Sequence, residues 1–235
     1  MGSFVISFME WDSNFFGYKV GESNNFSSLS EISTVAKAQN YKLIYLRINS
    51  ENDLMIRSLK TQNLFQDNKI TFVKKDLISK NANIHISSIR GSNLTEDILN
   101  LALISGSSSR YKLDLQFSNK EFERMYEIWI KNSLSGEIAD EVFGYFESNK
   151  CIGLVTLKYK NTKSHIGLIA VSPSAQGKGV GAELLKAVEN ASFFKGIDSI
   201  YVPTQRINTN ACEFYKKNDF HLFEEEVIFH LWTNV

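Results

Sequence analysis

One segment constrains this chain more than any other: an apolar strand that runs through a proline turn into a glycine-rich loop and then a helix. The strand covers residues 165–171, and the loop is QGKGVG at residues 176–181. Glycine lets backbone N–H groups approach a ligand closely, and a helix N-terminus favours anions. Successive N–H groups in such a turn form a concave site for phosphate oxygens. The segment therefore predicts either a phosphate-binding loop or a plain strand-to-helix turn whose glycines supply positive φ.

The spacing of the loop separates the known phosphate-binding motifs. It lacks both the GxxxxGK[ST] of P-loop NTPases and the GxGxxG of dinucleotide folds. It resembles the [Q/R]xxGx[G/A] pyrophosphate loop of the GNAT acetyltransferases, which bind acetyl-CoA. Downstream, residues 208–220 (NTNACEFYKKNDF) resemble the NxxAxxxYxxxGF helix of the same family. The two motifs occur in the order that the family has, so a GNAT fold is expected.

The resemblance implies how acetyl-CoA is bound. The backbone of a strand segment pairs with the pantetheine arm as an added strand. The loop amides hold the pyrophosphate, and Asn208 reaches the coenzyme from the opposite side. Lys178 adds charge or simply faces solvent. The strand residues are Leu168, Ile169, Ala170 and Val171, and the loop residues are Gln176, Gly177, Lys178, Gly179, Val180, Gly181 and Ala182.

The same resemblance assigns Tyr215 as the general acid that protonates the departing thiolate. A phenol has a reference pKa of about 10 and a thiol about 8.5, so the transfer is not strongly uphill. From the residues alone, Tyr215 beside Phe214 is more consistent with a packing aromatic, and only the family motif favours a catalytic role. The general base stays unassigned, with Glu147 and His165 on candidate strands. A strand N–H near Ala170 or Val171 is expected to stabilise the oxyanion.

One position departs from the family pattern. Asp219 stands where the family has glycine just after the helix, and glycine there permits a left-handed helix end. We expect Asn218 to adopt that conformation instead, which leaves the chemistry untouched.

A finer resemblance extends over most of the chain. Residues 10–17 (EWDSNFFG), and later Ser109-Arg110-Tyr111, Phe117 and residues 129–133 (WIKNS), are similar to the dTDP-fucosamine N-acetyltransferases. These enzymes acetylate the amino group of a dTDP-linked 4-amino-4,6-dideoxyhexose for surface polysaccharide assembly. On this resemblance the acceptor is a nucleotide-linked amino sugar. Arg110 is the candidate for its diphosphate and Asn132 for a sugar hydroxyl, although each also suits a surface or helix-end role.

Three aromatic residues close to the start have two interpretations. Trp11, Phe15 and Phe16 either stack on a nucleobase or belong to a core. Cys212 is not expected to act as a nucleophile, because direct transfer to an amine needs no acyl-enzyme and a buried thiol is usually inert.

Length and pattern predict two domains. The 235 residues suit one large or two small domains, and strands alternate with amphipathic helices throughout. Small polar residues at 79–83 favour a boundary, with a smaller α/β domain at 1–83 and the GNAT domain, a mixed central sheet flanked by helices, at 84–235. A capping box at Ser118–Glu121 is expected to start one helix, and residues 110–114 are expected to form an ordered loop.

Composition excludes several functions. The 26 basic and 26 acidic side chains cancel, so the basic excess of a nucleic-acid binder is missing. No apolar run approaches the roughly 18 residues of a membrane helix, and the start lacks the pattern of a secretion signal. Four histidines and two cysteines show no metal-ligand spacing. We therefore expect a cytoplasmic protein without metal, nucleic-acid or membrane partners, and the resemblance implies a homodimer.

Two rival functions are retained. The fold also suits a GNAT enzyme that acetylates a peptide, a lysine or a small-molecule amine. The other rival is a non-catalytic module that binds acyl-CoA.

Overall fold

The computed structural model describes residues 5–79 and 83–233. They divide into two compact units, the first comprising Met1–Ile70 and Glu225–Val235 and the second comprising Thr71–Glu224. The division differs from the boundary that the sequence suggested after residue 83; residues 80–82 of that boundary lie outside the described residues. The difference arises because the end of the chain returns to the first unit, a long-range pairing that local composition does not reveal.

The described residues of the first unit form a small mixed sheet and three helices. Strand β2 pairs with β1 in the antiparallel and with β3 in the parallel direction, and β3 pairs with the end of β10 in the antiparallel direction. The remaining strand, β4, begins in this unit and ends in the second. The elements are β1 Ser7–Phe8, α1 Glu10–Phe16, β2 Val20–Ser23, α2 Leu29–Ala38, β3 Leu43–Asn49, α3 Asp53–Lys60, β4 Phe65–Lys75 and β10 His221–Trp232.

Burial explains why the first unit needs both ends of the chain. Alternate residues of β10 enter the same core cluster as residues of β3 and of helices α2 and α3. Their pairing is direct, with Phe229 opposite Leu46 and Leu231 opposite Ile44. Helix α3 begins after the N-cap Asn52, whose side chain accepts from the Met55 N–H at 3.2 Å.

The second unit carries a larger mixed sheet. Strands β5, β6, β7 and β8 pair successively in the antiparallel direction, and β9 joins β8 in the parallel direction. The elements are β5 Ile86–Ser88, α4 Glu96–Ser105, α5 Arg110–Leu113, α6 Glu121–Ser135, β6 Glu141–Glu147, β7 Lys150–Lys160, β8 Lys163–Val171, α7 Val180–Phe194, β9 Ser199–Gln205 and α8 Thr209–Lys217. The predicted α/β class, a mixed sheet flanked by helices, is confirmed.

Helices α4 and α6 pack on one side of this sheet. Their buried residues form one cluster with Leu154 of β7 and with Leu168 and Ala170 of β8. Helix α7 lies against other residues of the same strands, as the hydrogen bond between the buried hydroxyls of Ser164 and Ser192 shows (2.7 Å). Strand β8 is therefore covered by helices from two sides, as a central strand is.

Two local expectations are wrong. Residues 110–113 form a one-turn helix, α5, where a loop was expected. The capping box at Ser118–Glu121 does not form, because Lys120 is the N-cap in a left-handed conformation and makes no side-chain cap. The Glu121 carboxylate instead accepts from the Asn119 N–H at 2.6 Å.

Within the described residues, no helix combines the length and the apolar character that crossing a bilayer requires.

Candidate active site

Strands β8 and β9 are paired at one end and part at the other. The parallel pairing joins Lys163–His165 to Ser199–Tyr201, and the described residues show no further register between these strands. We call the region beyond it, at residues 166–171 of β8 and 202–205 of β9, the β8–β9 gap. A peptide-like group that enters this gap meets a strand edge whose amides and carbonyls face it.

The register of β8 on β7 determines which amides face the gap. Ala170 lies opposite Leu154, and the Ser172 N–H donates to the Ile152 carbonyl at 2.8 Å. Because N–H groups of an antiparallel strand alternate between its two edges, Ala170 also points its amide toward β7. The amides of Ile169 and Val171 then point toward the gap. Of the two N–H groups expected to stabilise an oxyanion, that of Val171 points toward the gap and that of Ala170 points toward β7.

The glycine loop follows the gap directly. Gly177 and Gly179 have φ of +76° and +85°, and a Cβ built on either meets no described atom within 4 Å. Gly179 is the N-cap of α7, and no side chain caps the first turn of that helix. Its first amides therefore lack intrahelical acceptors and are exposed to whatever lies in front of the helix. This geometry suits a phosphate group held by main-chain donors.

Two other loop residues have different environments. The Gln176 side chain donates through Nε2 to the Val171 carbonyl at 3.1 Å, which ties the loop to the end of β8. Lys178 is exposed. A Cβ on Gly181 would lie 3.0 Å from the Phe214 ring, so glycine allows α7 and α8 to approach closely here.

Asn208 has a structural task of its own. It is the N-cap of α8, and its Oδ1 accepts from the Ala211 N–H at 3.2 Å. The side-chain amide nitrogen is the group that would reach a coenzyme. The Asn208 side chain is therefore able to cap the helix with its oxygen and to donate to a coenzyme with its nitrogen.

Tyr215 is almost completely buried, with 3% of its surface exposed. Its ring contacts those of Phe72, Phe214 and Phe220 at centroid distances of 5.4–5.8 Å. Burial raises the pKa of the phenol well above its usual value, and Cys212 adds to the effect. The phenol is therefore fully protonated at neutral pH and holds a proton available for donation.

The end of α8 corrects one expectation. Asp219 itself takes the left-handed conformation, with φ of +65°, whereas Asn218 has φ of −107°. The buried Lys74 donates to the Asn218 carbonyl at 3.0 Å and pairs with Glu189 at 2.6 Å and with Asp219 at 3.6 Å. An aspartate tolerates this conformation better than most residues, and Lys74 holds the helix end.

Neither cysteine has the environment of a nucleophile. Cys151 is buried, and desolvation followed by the charge of Asp97 raises its pKa to about 11. Burial also raises the pKa of Cys212. Both are therefore thiols, not thiolates, at neutral pH. In the described part of the chain, no three histidine, cysteine or acidic side chains are grouped as metal ligands.

His165 lies on the side of β8 that faces away from α7. Its neighbour Ser164 points to Ser192 of α7, and successive side chains of a strand point to opposite sides. The imidazole is half-buried and stacks on Tyr201 at a centroid distance of 5.4 Å. Desolvation, and then Lys160 and Lys163, lower its pKa. Glu147 is an exposed residue at the end of β6.

The candidate residues for the acceptor lie on two helices. The Arg110 guanidinium on α5 donates to the Tyr111 hydroxyl at 2.8 Å. Asn132, near the end of α6, accepts through its backbone carbonyl from the Glu137 N–H at 2.9 Å, which is the helix-end role. Trp129 of α6 approaches β8, because its Nε1 would lie 3.6 Å from a Cβ on Gly167.

The three early aromatic residues belong to the first unit. Trp11 is 53% exposed and stacks on Phe15 at 5.3 Å with an interplanar angle of 4°; Phe15 in turn contacts Phe16 edge to face. Because Phe15 and Phe16 are half-buried, the three rings form a partly exposed aromatic row.

Sequence reasoning missed one residue of the site. Thr156 is buried in β7, and its hydroxyl accepts from the Leu168 N–H at 2.8 Å. A threonine in an apolar strand carries no motif, so only the strand register reveals its position.

Part of the second unit is similar to known acetyltransferases. Residues 109–220 match the family model described as Acetyltransferase (GNAT) family. Spore coat polysaccharide biosynthesis protein SpsD of Bacillus subtilis (strain 168) is 25% identical over 138 residues, which are 59% of this chain and 47% of that protein. Streptothricin acetyltransferase A of the same organism is 35% identical over 109 residues, 45% of this chain and 61% of that protein. The chain thus spans about half to three fifths of the length of these curated relatives.

Solved structures share the fold across most of the chain. A functionally unknown protein from Staphylococcus epidermidis ATCC 12228 has a TM-score of 0.66 at 10% identity, covering 92% of this chain and 85% of its own. A GCN5-related N-acetyltransferase from Sphaerobacter thermophilus has a TM-score of 0.58 at 11% identity, covering 91% and 72%. At these identities the likeness concerns the fold.

Proposed function

We propose that the protein transfers the acetyl group of acetyl-CoA to an amine by direct attack, as an acetyltransferase of the family whose model residues 109–220 match. One observation carries this proposal: the part of β8 that is not paired with β9 leads through the glycine loop into the uncapped start of α7. A pantetheine arm in the gap and a pyrophosphate at the loop would then belong to one extended ligand.

The main chain does most of the coenzyme binding on this proposal. The gap-facing amides of Ile169 and Val171 pair with the pantetheine arm, and the amides from Gln176 to Ala182 hold the pyrophosphate. The nearby amides also stabilise the negative charge that develops on the acyl oxygen during attack. Asn208 contributes its side-chain nitrogen, because its oxygen is already engaged as a helix cap.

Tyr215 acts as the general acid on this proposal. Burial raises the pKa of its phenol, and desolvation would also raise the pKa of a thiol that departs beside it, which keeps the proton transfer from becoming strongly uphill. Such a positioned acid contributes about 10²–10⁴-fold in rate.

His165 is the group that we propose as the general base. It lies on the side of β8 that α6 covers, and its lowered pKa keeps the imidazole neutral at neutral pH. A neutral imidazole is able to accept the proton that the amine must lose. The exposed position of Glu147 makes that carboxylate the weaker candidate.

The acceptor that we propose is a nucleotide-linked 4-amino-4,6-dideoxy sugar, acetylated for surface polysaccharide assembly. Support comes from the similarity of residues 10–17 and 129–133 to the dTDP-fucosamine N-acetyltransferases and from the polysaccharide role in the name of the SpsD relative. Arg110 would hold the diphosphate and Asn132 a sugar hydroxyl. The homodimer and the cytoplasmic location implied above stay predictions.

A second candidate acceptor is a small-molecule amine. The relative with the higher identity, 35%, is named for streptothricin, and the match covers 45% of this chain. This candidate keeps every coenzyme contact and changes only the residues that meet the acceptor.

Thiol release from acetyl-CoA against a panel of acceptors tests these proposals. The panel comprises dTDP-4-amino-4,6-dideoxygalactose, its gluco epimer, a UDP-linked analogue, streptothricin and a lysine peptide. Release with one sugar nucleotide alone would support the main proposal. Release with streptothricin or the peptide alone would identify that amine as the acceptor in place of a sugar nucleotide. Tight coenzyme binding without release would favour a non-catalytic acyl-CoA module.

A further inference from the structure

Strand β8 contains a bulge where its edge begins to face the gap. Leu157 of β7 lies opposite Ile166, and Val155 lies opposite Ile169. Two residues of β8, Gly167 and Leu168, therefore oppose the single residue Thr156. In the rest of the strand, such a bulge reverses which amides point to each edge and which side chains point to each side of the sheet.

The side chain of Thr156 completes the bulge. The Leu168 N–H lies where the ladder is interrupted and donates to Thr156 Oγ1 at 2.8 Å. Thr156 is only 1% exposed and Leu168 is 3% exposed, so water does not replace this acceptor. A buried amide without its acceptor costs about 1–3 kcal/mol.

The bulge decides the direction of the amides that follow. With it, Leu168, Ala170 and Ser172 point toward β7, and Ile169 and Val171 point toward the gap. A regular ladder would shift the register by one residue and turn the Ile169 and Val171 amides away from the gap. The hydroxyl of Thr156 thus stabilises the bulged register, because it accepts a hydrogen bond from the Leu168 amide within the bulge.

The space around Gly167 fits the same arrangement. A Cβ on this glycine would lie 2.9 Å from Thr156 Oγ1 and 3.6 Å from Trp129 Nε1. The glycine therefore leaves room for the hydroxyl to reach the Leu168 amide.

We propose that Thr156 is a positioning residue for acetyl transfer, because its hydroxyl holds the bulge that turns the Ile169 and Val171 amides toward the acyl group. The inference rests on the proposed transferase function. Thr156 touches neither substrate. It acts through the backbone of β8.

Two variants at this position separate the hydroxyl from the shape of the side chain. Thr156→Val keeps the shape and removes the acceptor, and Thr156→Ser keeps the acceptor and removes a methyl group. We expect Thr156→Val to lower kcat at least tenfold and to raise KM for acetyl-CoA by a smaller factor, since the Ile169 and Val171 amides also pair with the pantetheine arm whereas the pyrophosphate loop is untouched. Thr156→Ser should retain at least a third of the wild-type kcat.

A control accounts for the loss of a buried hydroxyl as such. Ser192 is fully buried, hydrogen-bonded to Ser164 and 12 residues beyond the start of α7. Ser192→Ala should lower stability to denaturant and leave kcat within twofold of the wild type. If Ser192→Ala and Thr156→Val lower kcat equally, or if Thr156→Val keeps the wild-type kcat, the inference is overturned.

A measurement on the free protein keeps this inference distinct from the proposed function. The amide proton of Leu168 in an ¹H–¹⁵N spectrum should move upfield in Thr156→Val and stay near its wild-type position in Thr156→Ser. An unmoved Leu168 amide in Thr156→Val would overturn the hydrogen bond itself. A wild-type protein that transfers acetyl to no amine would overturn the proposed function and, with it, the positioning role of Thr156, whatever the amide shows.

Discussion

At the scale of single residues, the candidate site combines buried side chains with an exposed main chain. Tyr215 is enclosed by three aromatic rings, whereas Gly177 and Gly179 have open space in front of them. A ligand that binds the loop therefore needs little rearrangement there. The proton donor, by contrast, is held rigidly by packing. Substitutions at these two kinds of position should separate binding from chemistry.

Removal of the Tyr215 hydroxyl should affect turnover alone. Tyr215→Phe keeps the ring and its aromatic contacts, so we expect turnover to fall at least tenfold, within the roughly 10²–10⁴-fold range of general-acid catalysis. Affinity for acetyl-CoA should stay within about threefold of the wild type. Thiol release gives the rate, and titration calorimetry gives the affinity.

Tyr41→Phe is the matched control, because Tyr41 is also buried (3% exposed) but belongs to the first unit. Its turnover should equal that of the wild type. Unchanged turnover in Tyr215→Phe would remove this phenol from the mechanism.

His165 should make stability depend on pH. Because desolvation and two lysines lower its pKa in the folded protein, the unfolded chain binds more protons between that pKa and the ordinary value of about 6.5. Stability therefore rises with pH across this window and is lost as the pH falls through it. In His165→Gln, the fall in the urea midpoint between pH 7 and pH 5 should be smaller than in the wild type.

The exposed His221 supplies the control for the loss of an imidazole, as His221→Gln. An equal fall in the midpoint for His165→Gln and the wild type would contradict the lowered pKa.

At the scale of elements, a side chain added at the start of α7 should weaken the binding of acetyl-CoA. Gly179 has positive φ and open space in front of it. Gly179→Ala adds backbone strain of about 1–2 kcal/mol and places a methyl group where phosphate would approach. Calorimetry should show at least a tenfold loss of acetyl-CoA affinity.

The other end of the same helix offers a control with the same backbone geometry. Gly196 has φ of +68°, and a Cβ built there also meets no described atom within 4 Å. Gly196→Ala should lower stability by a similar amount and leave acetyl-CoA affinity unchanged. Equal affinity in Gly179→Ala and the wild type would show that the loop does not hold the pyrophosphate.

Local patterns allowed most elements to be predicted, and long-range pairing explains the failures. The apolar run of β8, the glycine loop before α7 and the start of a helix near Ser118–Glu121 (α6) are local signals, and these elements are predicted from the sequence. The bulge at Gly167–Leu168 is not, because it depends on how β8 registers against Thr156 of another strand. The cap at Asp219 was also misjudged, since Lys74 holds that end from a strand more than 140 residues earlier.

At the scale of the whole molecule, the chain closes its first unit with its last strand. Phe229 and Leu231 lie in the same core as Ile44 and Leu46. This arrangement differs from the predicted division into two consecutive segments. It makes the stability of the N-terminal part depend on residues about 180 positions later, as the pairing of Glu226 with Asn49 illustrates.

Substitution of Phe229 decides between the two divisions of the chain. Phe229 is fully buried, and Phe229→Ala should destabilise its surroundings by about 3–5 kcal/mol. If the last strand belongs to the first unit, brief proteolysis should cut Phe229→Ala first within residues 5–70, as mass spectrometry of the fragments would show. Phe72→Ala, at a buried position of the second unit, should instead expose sites within residues 71–224. First cuts within 84–224 in Phe229→Ala would favour a continuous C-terminal domain from residue 84, because the destabilised strand would then belong to that domain.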